Sequence, residues 1–112
     1  MPTSGDVVDL GLPEGREAGF LHPAVVVTAQ RVLDATPSVI HVVPLTSTIR
    51  RFDSELVIDP DPANGLQGVY AAQCQHLRAL SPGRIVATRG NVGPAVVAQI
   101  REMIAALLDL PS

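Results

Sequence analysis

The stretch HPAVVVTAQRVLDATPSVIHVVPLTST, residues 22–48, decides the fold. Two runs within it, at 24–27 and 39–43, are rich in β-branched residues and have the length of a β-strand. The segment between them, 31–38, is long enough for a connection with one helical turn. The pattern therefore predicts two neighbouring antiparallel strands.

The register of this hairpin brings its two polar ends together. If strands 24–28 and 39–45 pair around a centre near Asp34, partner residues have numbers that sum to about 68. Under that register His22 faces Thr46. We therefore expect an imidazole and a hydroxyl to meet at one rim of the sheet.

Short strands separated by Gly- and Pro-rich turns continue on both sides of the hairpin. They are predicted at 5–10, 55–58, 68–75, 76–80 and 84–88, with a loop at 59–65. After residue 93 the apolar period becomes helical, which predicts an amphipathic helix that starts at Pro94 and ends before Pro111. Its apolar stripe is Val97, Ile100, Ile104, Leu107 and Leu108.

These elements predict a mostly β (α+β) fold with one domain over residues 1–112. Connections too short for crossover helices favour a small antiparallel β-barrel of six to seven strands, with the amphipathic helix at its C-terminal end. Hydrophobic residues make up 46% of the chain and charged residues 17%, which excludes a disordered tail protein.

Charge and cysteine content limit the function classes. All eight basic residues are arginines, and 11 acidic residues give a net charge of −3. That balance argues against coating nucleic acid by bulk charge, but it is compatible with a local arginine-lined site. A single cysteine, Cys74, forms no internal disulfide, and the sequence has neither a signal-peptide pattern nor a membrane-length apolar run. We expect a cytoplasmic protein with no membrane partner.

Hydroxyl and arginine side chains surround the predicted His22–Thr46 pair in the sequence. Histidine moves protons near neutral pH, arginine forks onto phosphate oxygens and hydroxyls orient them. The set suits phosphoryl transfer without a metal ion or cofactor, whereas ordinary turn and surface chemistry is the alternative interpretation. The candidates are His22, Thr46 and Glu17 for catalysis, and Ser47, Thr48, Arg50 and Arg51 for binding.

Two other reactive residues are interpreted as structural. His41 alternates within an apolar strand, so we expect it to be a satisfied structural residue. Cys74 has no Cys or His at ligand spacing and is expected in the core or an interface. The sequence contains no Cys/His cluster that would indicate a metal site, and it contains no glycine-rich nucleotide motif.

The order of these features resembles the MazF/PemK family of toxin endoribonucleases from bacterial toxin–antitoxin pairs. Each motif alone is weak, but their order and spacing over nearly the whole chain are fairly specific. The matching segments are GDVV (5–8), EAGFLHPAVVV (17–27), VVPLTST (42–48), QCQHLRALSPGRI (73–85) and the helix ending LLDL (107–110).

This resemblance implies an SH3-like barrel that acts as a homodimer and cuts single-stranded mRNA at short sequences. It implies attack of the ribose 2′-hydroxyl on phosphorus, leaving a 2′,3′-cyclic phosphate and a 5′-hydroxyl. Thr46 matches the family threonine, Glu17 a frequent glutamate, and Arg78 an arginine expected to contact RNA phosphates. A cognate antitoxin is the implied protein partner.

One departure from the family pattern leaves alternatives open. Where the family has arginine before proline, this chain has His22. Histidine can abstract the 2′-hydroxyl proton or stabilise the phosphorane when charged, yet it lacks the permanent fork of arginine. The alternatives are a barrel that binds RNA or antitoxin with impaired cleavage, a CcdB-like toxin that inhibits gyrase, and a structural adaptor.

Overall fold

A computed structural model describes residues 1–11 and 22–111, and within them seven strands and two α-helices are formed. The strands are β1 (Asp6–Leu10), β2 (His22–Val26), β3 (Ile40–Thr46), β4 (Glu55–Ile58), β5 (Tyr70–Gln73), β6 (Arg78–Leu80) and β7 (Ile85–Asn91). The helices are α1 (Gln30–Leu33) and α2 (Pro94–Leu107), and short 3-10 turns occur at Cys74–His76 and Pro82–Arg84. The predicted mostly β fold with a C-terminal helix is confirmed.

Strand β3 organises the sheet. The strand order is β4-β5-β3-β2-β1-β7, and every pairing is antiparallel. The first half of β3 also pairs with β6, while its last two residues pair with β5. The predicted hairpin register is confirmed, because Ala24 lies opposite Pro44 and Val26 opposite Val42.

Both faces of the central strands are buried, and alternate residues supply two separate clusters. The cluster on one face lies between the strands and α2. It includes Val7, Val25, Val43 and Leu45 from the strands, and Val97 and Ile100 from the helix. The opposite face packs against α1 and includes Val8, Ala24, Val26, Leu33, Ile40 and Val42. The continuous apolar runs of the sequence follow from this double burial.

The loop between β4 and β5 closes the barrel by meeting β7. The backbone N–H of Asn91 donates to the Ala63 carbonyl at 2.9 Å. Asn64 is 1% exposed, and its side-chain oxygen accepts from the N–H groups of Asp61 and Leu66. At Gly90 the two backbones lie so close that a Cβ would overlap the Ala63 carbonyl oxygen.

A buried ion pair supports the same edge. Arg89 Nη2 lies 2.9 Å from Asp9 Oδ1, and Asp9 is buried. The hydrogen bond and charge of Asp9 raise the pKa of Arg89. The pair therefore ties β7 to β1 through their side chains.

Three expectations from the sequence have different outcomes. The prediction for Cys74 is confirmed: it is buried in the core, and burial raises the pKa of its thiol to about 11. His41, interpreted as structural because it alternates within an apolar strand, is exposed on β3, so its side chain lies outside the core. The predicted helix stripe holds at Val97 and Ile100, which are buried, and at Ile104, which packs partly buried against the core, whereas Leu107 and Leu108 are 49% and 58% exposed.

The last turn of α2 therefore extends beyond the sheet that its first turns cover. None of the helices in the described ranges has the length and apolar character required to cross a membrane.

We expect Gly90→Ala to destabilise the protein, because the new methyl group would collide with the Ala63 carbonyl and force β7 away from the loop. The expected loss is about 1–3 kcal/mol of unfolding free energy, measured by urea denaturation. Gly68→Ala is the control, since a Cβ there meets no atom within 4 Å. Equal stability of the two variants would contradict this account of barrel closure.

Candidate active site

His22 and Thr46 occupy matching ends of paired strands. His22 begins β2 and is exposed, while Thr46 ends β3 and is half-buried. Continuing the observed β2–β3 register by two residues from the Ala24–Pro44 pair places His22 opposite Thr46. Side chains of directly opposed residues share a face, so both project from the same side of the sheet rim.

The Thr46 hydroxyl is oriented by the turn that follows it. Its Oγ1 accepts a hydrogen bond of 3.1 Å from the backbone N–H of Thr48. Because the oxygen acts as the acceptor, the hydroxyl proton remains available for donation to a ligand. Ser47 and Thr48 are exposed beside it, so three hydroxyl groups adjoin the rim.

Arg50 and Arg51 follow on the loop between β3 and β4, in different surroundings. Arg50 Nη2 lies 3.3 Å from Glu55 Oε2, and its guanidinium carbon is 5.0 Å from the centroid of the Phe52 ring. Arg51 is exposed, with a φ of 57° in the left-handed region. The loop therefore holds one arginine against the protein and presents the other to solvent.

A buried carboxylate network lies behind Arg50 and was not predicted from the sequence. The side chain of Glu55 is 0% exposed, and its Oε2 accepts from Gln75 at 2.7 Å and from Gln73 at 3.3 Å. Despite the opposing effect of burial, the hydrogen bond from Gln75, followed by those from Gln73 and Arg50, lowers the pKa of Glu55. The only signal in the sequence is a glutamate at the start of the apolar strand ELVI.

Strand pairing puts this network on the same face as Thr46. Thr46 lies opposite Ala71 on β5, and Gln73, two residues along β5, lies opposite Glu55 on β4. Paired residues share a face, as do residues two apart on one strand. The proposed catalytic rim and the Arg50–Glu55 pair thus lie toward the same face of the sheet.

Arg78 lies further along the same face. It is exposed on β6 opposite Val42, four residues before Thr46 on β3, which corresponds to roughly 13 Å along the strand. The structure therefore sets His22 and Thr46 at neighbouring strand ends on one face, and it leaves Arg78 further along that face, where it could meet another part of an extended ligand. Glu17 lies outside the described residues.

A small antiparallel barrel with a C-terminal helix and a polar rim at the β2–β3 end is the architecture expected of a MazF/PemK toxin. Residues 3–108 match the family model described as PemK-like, MazF-like toxin of type II toxin-antitoxin system. Since this match spans nearly the whole sequence, the chain belongs to that toxin family.

A relative from Mycobacterium tuberculosis (strain ATCC 25618 / H37Rv), named Endoribonuclease MazF9, is 36% identical over 108 residues. The alignment covers 92% of this chain and 91% of the relative. The predicted toxin class is confirmed by the family match, and the predicted endoribonuclease activity is the one in this relative's name.

Solved structures share the fold. The Mycobacterium tuberculosis toxin MazF-mt6 superposes with a TM-score of 0.76 at 19% identity, covering 96% of this chain and 99% of its own. A MazE-MazF structure from Deinococcus radiodurans gives a TM-score of 0.74 at 22% identity, with 98% and 97% covered. An endoribonuclease in complex with its cognate antitoxin, from Mycobacterial species, gives 0.76 at 20% identity, with 100% and 99% covered.

The lowered pKa of Glu55 predicts an acid-dependent loss of stability. Because the folded pKa lies below the ordinary value of 4.5, the ionised carboxylate contributes stability fully above about that pH. The contribution is lost as the pH falls through the lower folded value. Glu55→Gln should lower the melting temperature by roughly 4–8 °C at pH 7, and the difference from wild type should shrink below pH 4.5.

Thermal unfolding followed by circular dichroism between pH 7 and pH 3 measures this difference. Asp53→Asn, at an exposed carboxylate on the same loop, is the matched control and should melt close to wild type throughout. A Glu55→Gln effect of constant size at every pH would show that the charge of Glu55 contributes nothing.

Proposed function

We propose that this protein is the toxin of a type II toxin–antitoxin pair and cleaves single-stranded mRNA without a metal ion. The observation that carries the proposal is the β2–β3 register, which sets His22 opposite Thr46 when it is continued by two residues beyond the Ala24–Pro44 pair. Family membership and the named activity of the 36% identical relative support it.

The proposed chemistry is an internal transesterification. The imidazole of His22 takes the proton of a ribose 2′-hydroxyl, and the 2′-oxygen attacks the adjacent phosphorus. The Thr46 hydroxyl, already held by the Thr48 N–H, donates to a non-bridging phosphate oxygen as negative charge develops there. The bond from phosphorus to the 5′-oxygen then breaks, which leaves a 2′,3′-cyclic phosphate and a 5′-hydroxyl. Glu17 is the proposed proton donor to the departing 5′-oxygen.

Binding of the RNA strand is assigned to the polar surface that continues from this rim. Ser47 and Thr48 are exposed next to Thr46, and Arg50, Arg51 and Arg78 provide guanidinium groups on either side. Because arginine forks onto phosphate and packs flat against bases, these residues suit a flexible single strand. A cognate antitoxin is proposed to cover this surface in the cytoplasm.

We expect His22→Ala and Thr46→Ala each to reduce RNA cleavage by at least about 100-fold, since each removes a group that acts in the transition state. The assay is digestion of a long unstructured RNA in EDTA, with the cut sites mapped and the ends identified. Wild type should give discrete fragments with 5′-hydroxyl ends.

His76→Ala and Thr88→Ala remove the same side chains at exposed positions away from the rim and are the matched controls. Unchanged cleavage by either rim variant would overturn its catalytic role. Intact RNA together with growth arrest on expression would indicate a protein target instead, as in a CcdB-like toxin.

His22→Arg restores the residue that the family resemblance places before proline. The charge of histidine changes between about pH 5 and 8, whereas arginine stays charged. If His22 works by proton transfer, this variant should show a flatter pH–rate profile than wild type in the same digest. Identical profiles would assign His22 a role that does not depend on its protonation.

A homodimer is also part of the proposal. Leu107, Leu108 and Leu110 are each about half exposed at the C-terminal end of α2, at 49%, 58% and 54%. A second copy of the chain is the partner that we propose for this apolar surface. We expect light scattering to give the mass of a dimer for wild type and a shift toward monomer for Leu108→Asp, whereas a monomeric wild type would contradict the dimer.

A further inference from the structure

Phe52 is an exposed aromatic side chain in a chain that has few aromatic residues. The sequence contains two phenylalanines, one tyrosine and no tryptophan. Phe52 is 51% exposed, and the Arg50 guanidinium stands over its ring at 5.0 Å from the centroid. The two planar groups, Arg50 and Phe52, form a cation–π pair that we call the stacking platform.

The stacking platform is fixed from below. Glu55, whose side chain is fully buried, binds the Arg50 guanidinium, and its backbone N–H donates to the Phe52 carbonyl at 3.0 Å. The preceding residue, Ser54, is also held in place, because its backbone carbonyl accepts a hydrogen bond of 3.1 Å from the Cys74 N–H. The Arg50 guanidinium and the Phe52 backbone are thus held before any ligand arrives, which reduces the entropy cost of binding.

The charge of the platform favours a base over a phosphate. Glu55 remains ionised and compensates the positive charge of Arg50, so little net charge is left to attract an anion. What remains open is the flat surface of a partly exposed guanidinium and a half-exposed ring. Aromatic rings and guanidinium planes are the groups on which unpaired bases stack.

The stacking platform lies close to the proposed cleavage site. Glu55 is two strands away from Thr46 and two residues along, on the same face of the sheet. Strand spacing and residue rise put their backbones roughly 12 Å apart. A single strand whose reacting phosphate lies at Thr46 therefore passes the platform with a neighbouring nucleotide.

We propose that the stacking platform binds one unpaired base of the RNA beside the cut and thereby sets part of the sequence preference. The inference rests on the proposed function, because it takes RNA as the ligand of this face. The buried Glu55 acts as a positioning residue through Arg50.

The absence of tryptophan from the sequence allows a direct optical test. Phe52→Trp introduces a single tryptophan into the platform, and its fluorescence is titrated with a single-stranded oligonucleotide whose 2′-deoxy sugars prevent cleavage. Stacking of a base should quench the emission. Val39→Trp, at an exposed site immediately before β3 and at the opposite end of that strand from Thr46, is the matched control and should keep its emission.

Cleavage kinetics give an independent test. Phe52→Ala should raise KM about tenfold or more, with kcat nearly unchanged, because stacking holds the substrate and the transition state alike. Mapped cut sites should lose nucleotide preference at one position near the cut. Phe52→Tyr should retain the preference, and Val39→Ala should leave both constants unchanged.

The outcomes separate the platform from the proposed reaction. Oligonucleotide binding detected by anisotropy without quenching in Phe52→Trp would overturn the platform, as would an unchanged KM and cut-site preference in a folded Phe52→Ala variant. Quenching by the oligonucleotide in a protein that cuts no RNA would support the platform and overturn the proposed reaction. Loss of all binding in both Phe52→Ala and the folded Phe52→Tyr variant would also count against a stacking role.

Discussion

The register between β2 and β3 is the constraint on which the rest of the structure depends. Both faces of these strands are buried, so a slip of one residue would exchange the cluster of Val25 and Val43 with that of Ala24 and Val42. The same pairing decides that His22 and Thr46 end on one face, so core packing and the candidate site are fixed by a single choice.

This constraint explains why the hairpin and its rim were predictable from the sequence. Apolar runs of strand length, a connection centred near Asp34 and the two-residue period of a strand are local properties. The barrel class and α2 followed in the same way from turn residues and a change of period. The register at Ala24–Pro44 then required no information from distant parts of the chain.

The unpredicted features depend on contacts between distant residues. The bonds of Glu55 to Gln73 and Gln75 join residues 18 and 20 positions apart, and they exist only once β4 has paired with β5. A glutamate at a strand start gives no sign of burial by itself. The predicted burial of Leu107 and Leu108 at the end of α2 was wrong for a different reason. Helical periodicity marks an apolar face but cannot show where the sheet beneath that face ends.

The contacts of the arginine side chains explain how an acidic protein could bind the proposed RNA ligand. Several of them bind the barrel itself: Arg84 donates to the Gly11 carbonyl, Arg89 pairs with Asp9, and Arg101 donates to the Val27 carbonyl. Arg50 is compensated by Glu55, whereas Arg31, Arg51 and Arg78 are exposed without an ion pair among the described residues. Because only a few guanidinium groups are exposed, we expect the proposed RNA ligand to be bound with a small dependence on salt. In the proposed function, selection of a substrate is then assigned to groups that read individual nucleotides, namely the hydroxyls after β3 and the stacking platform of Arg50 and Phe52.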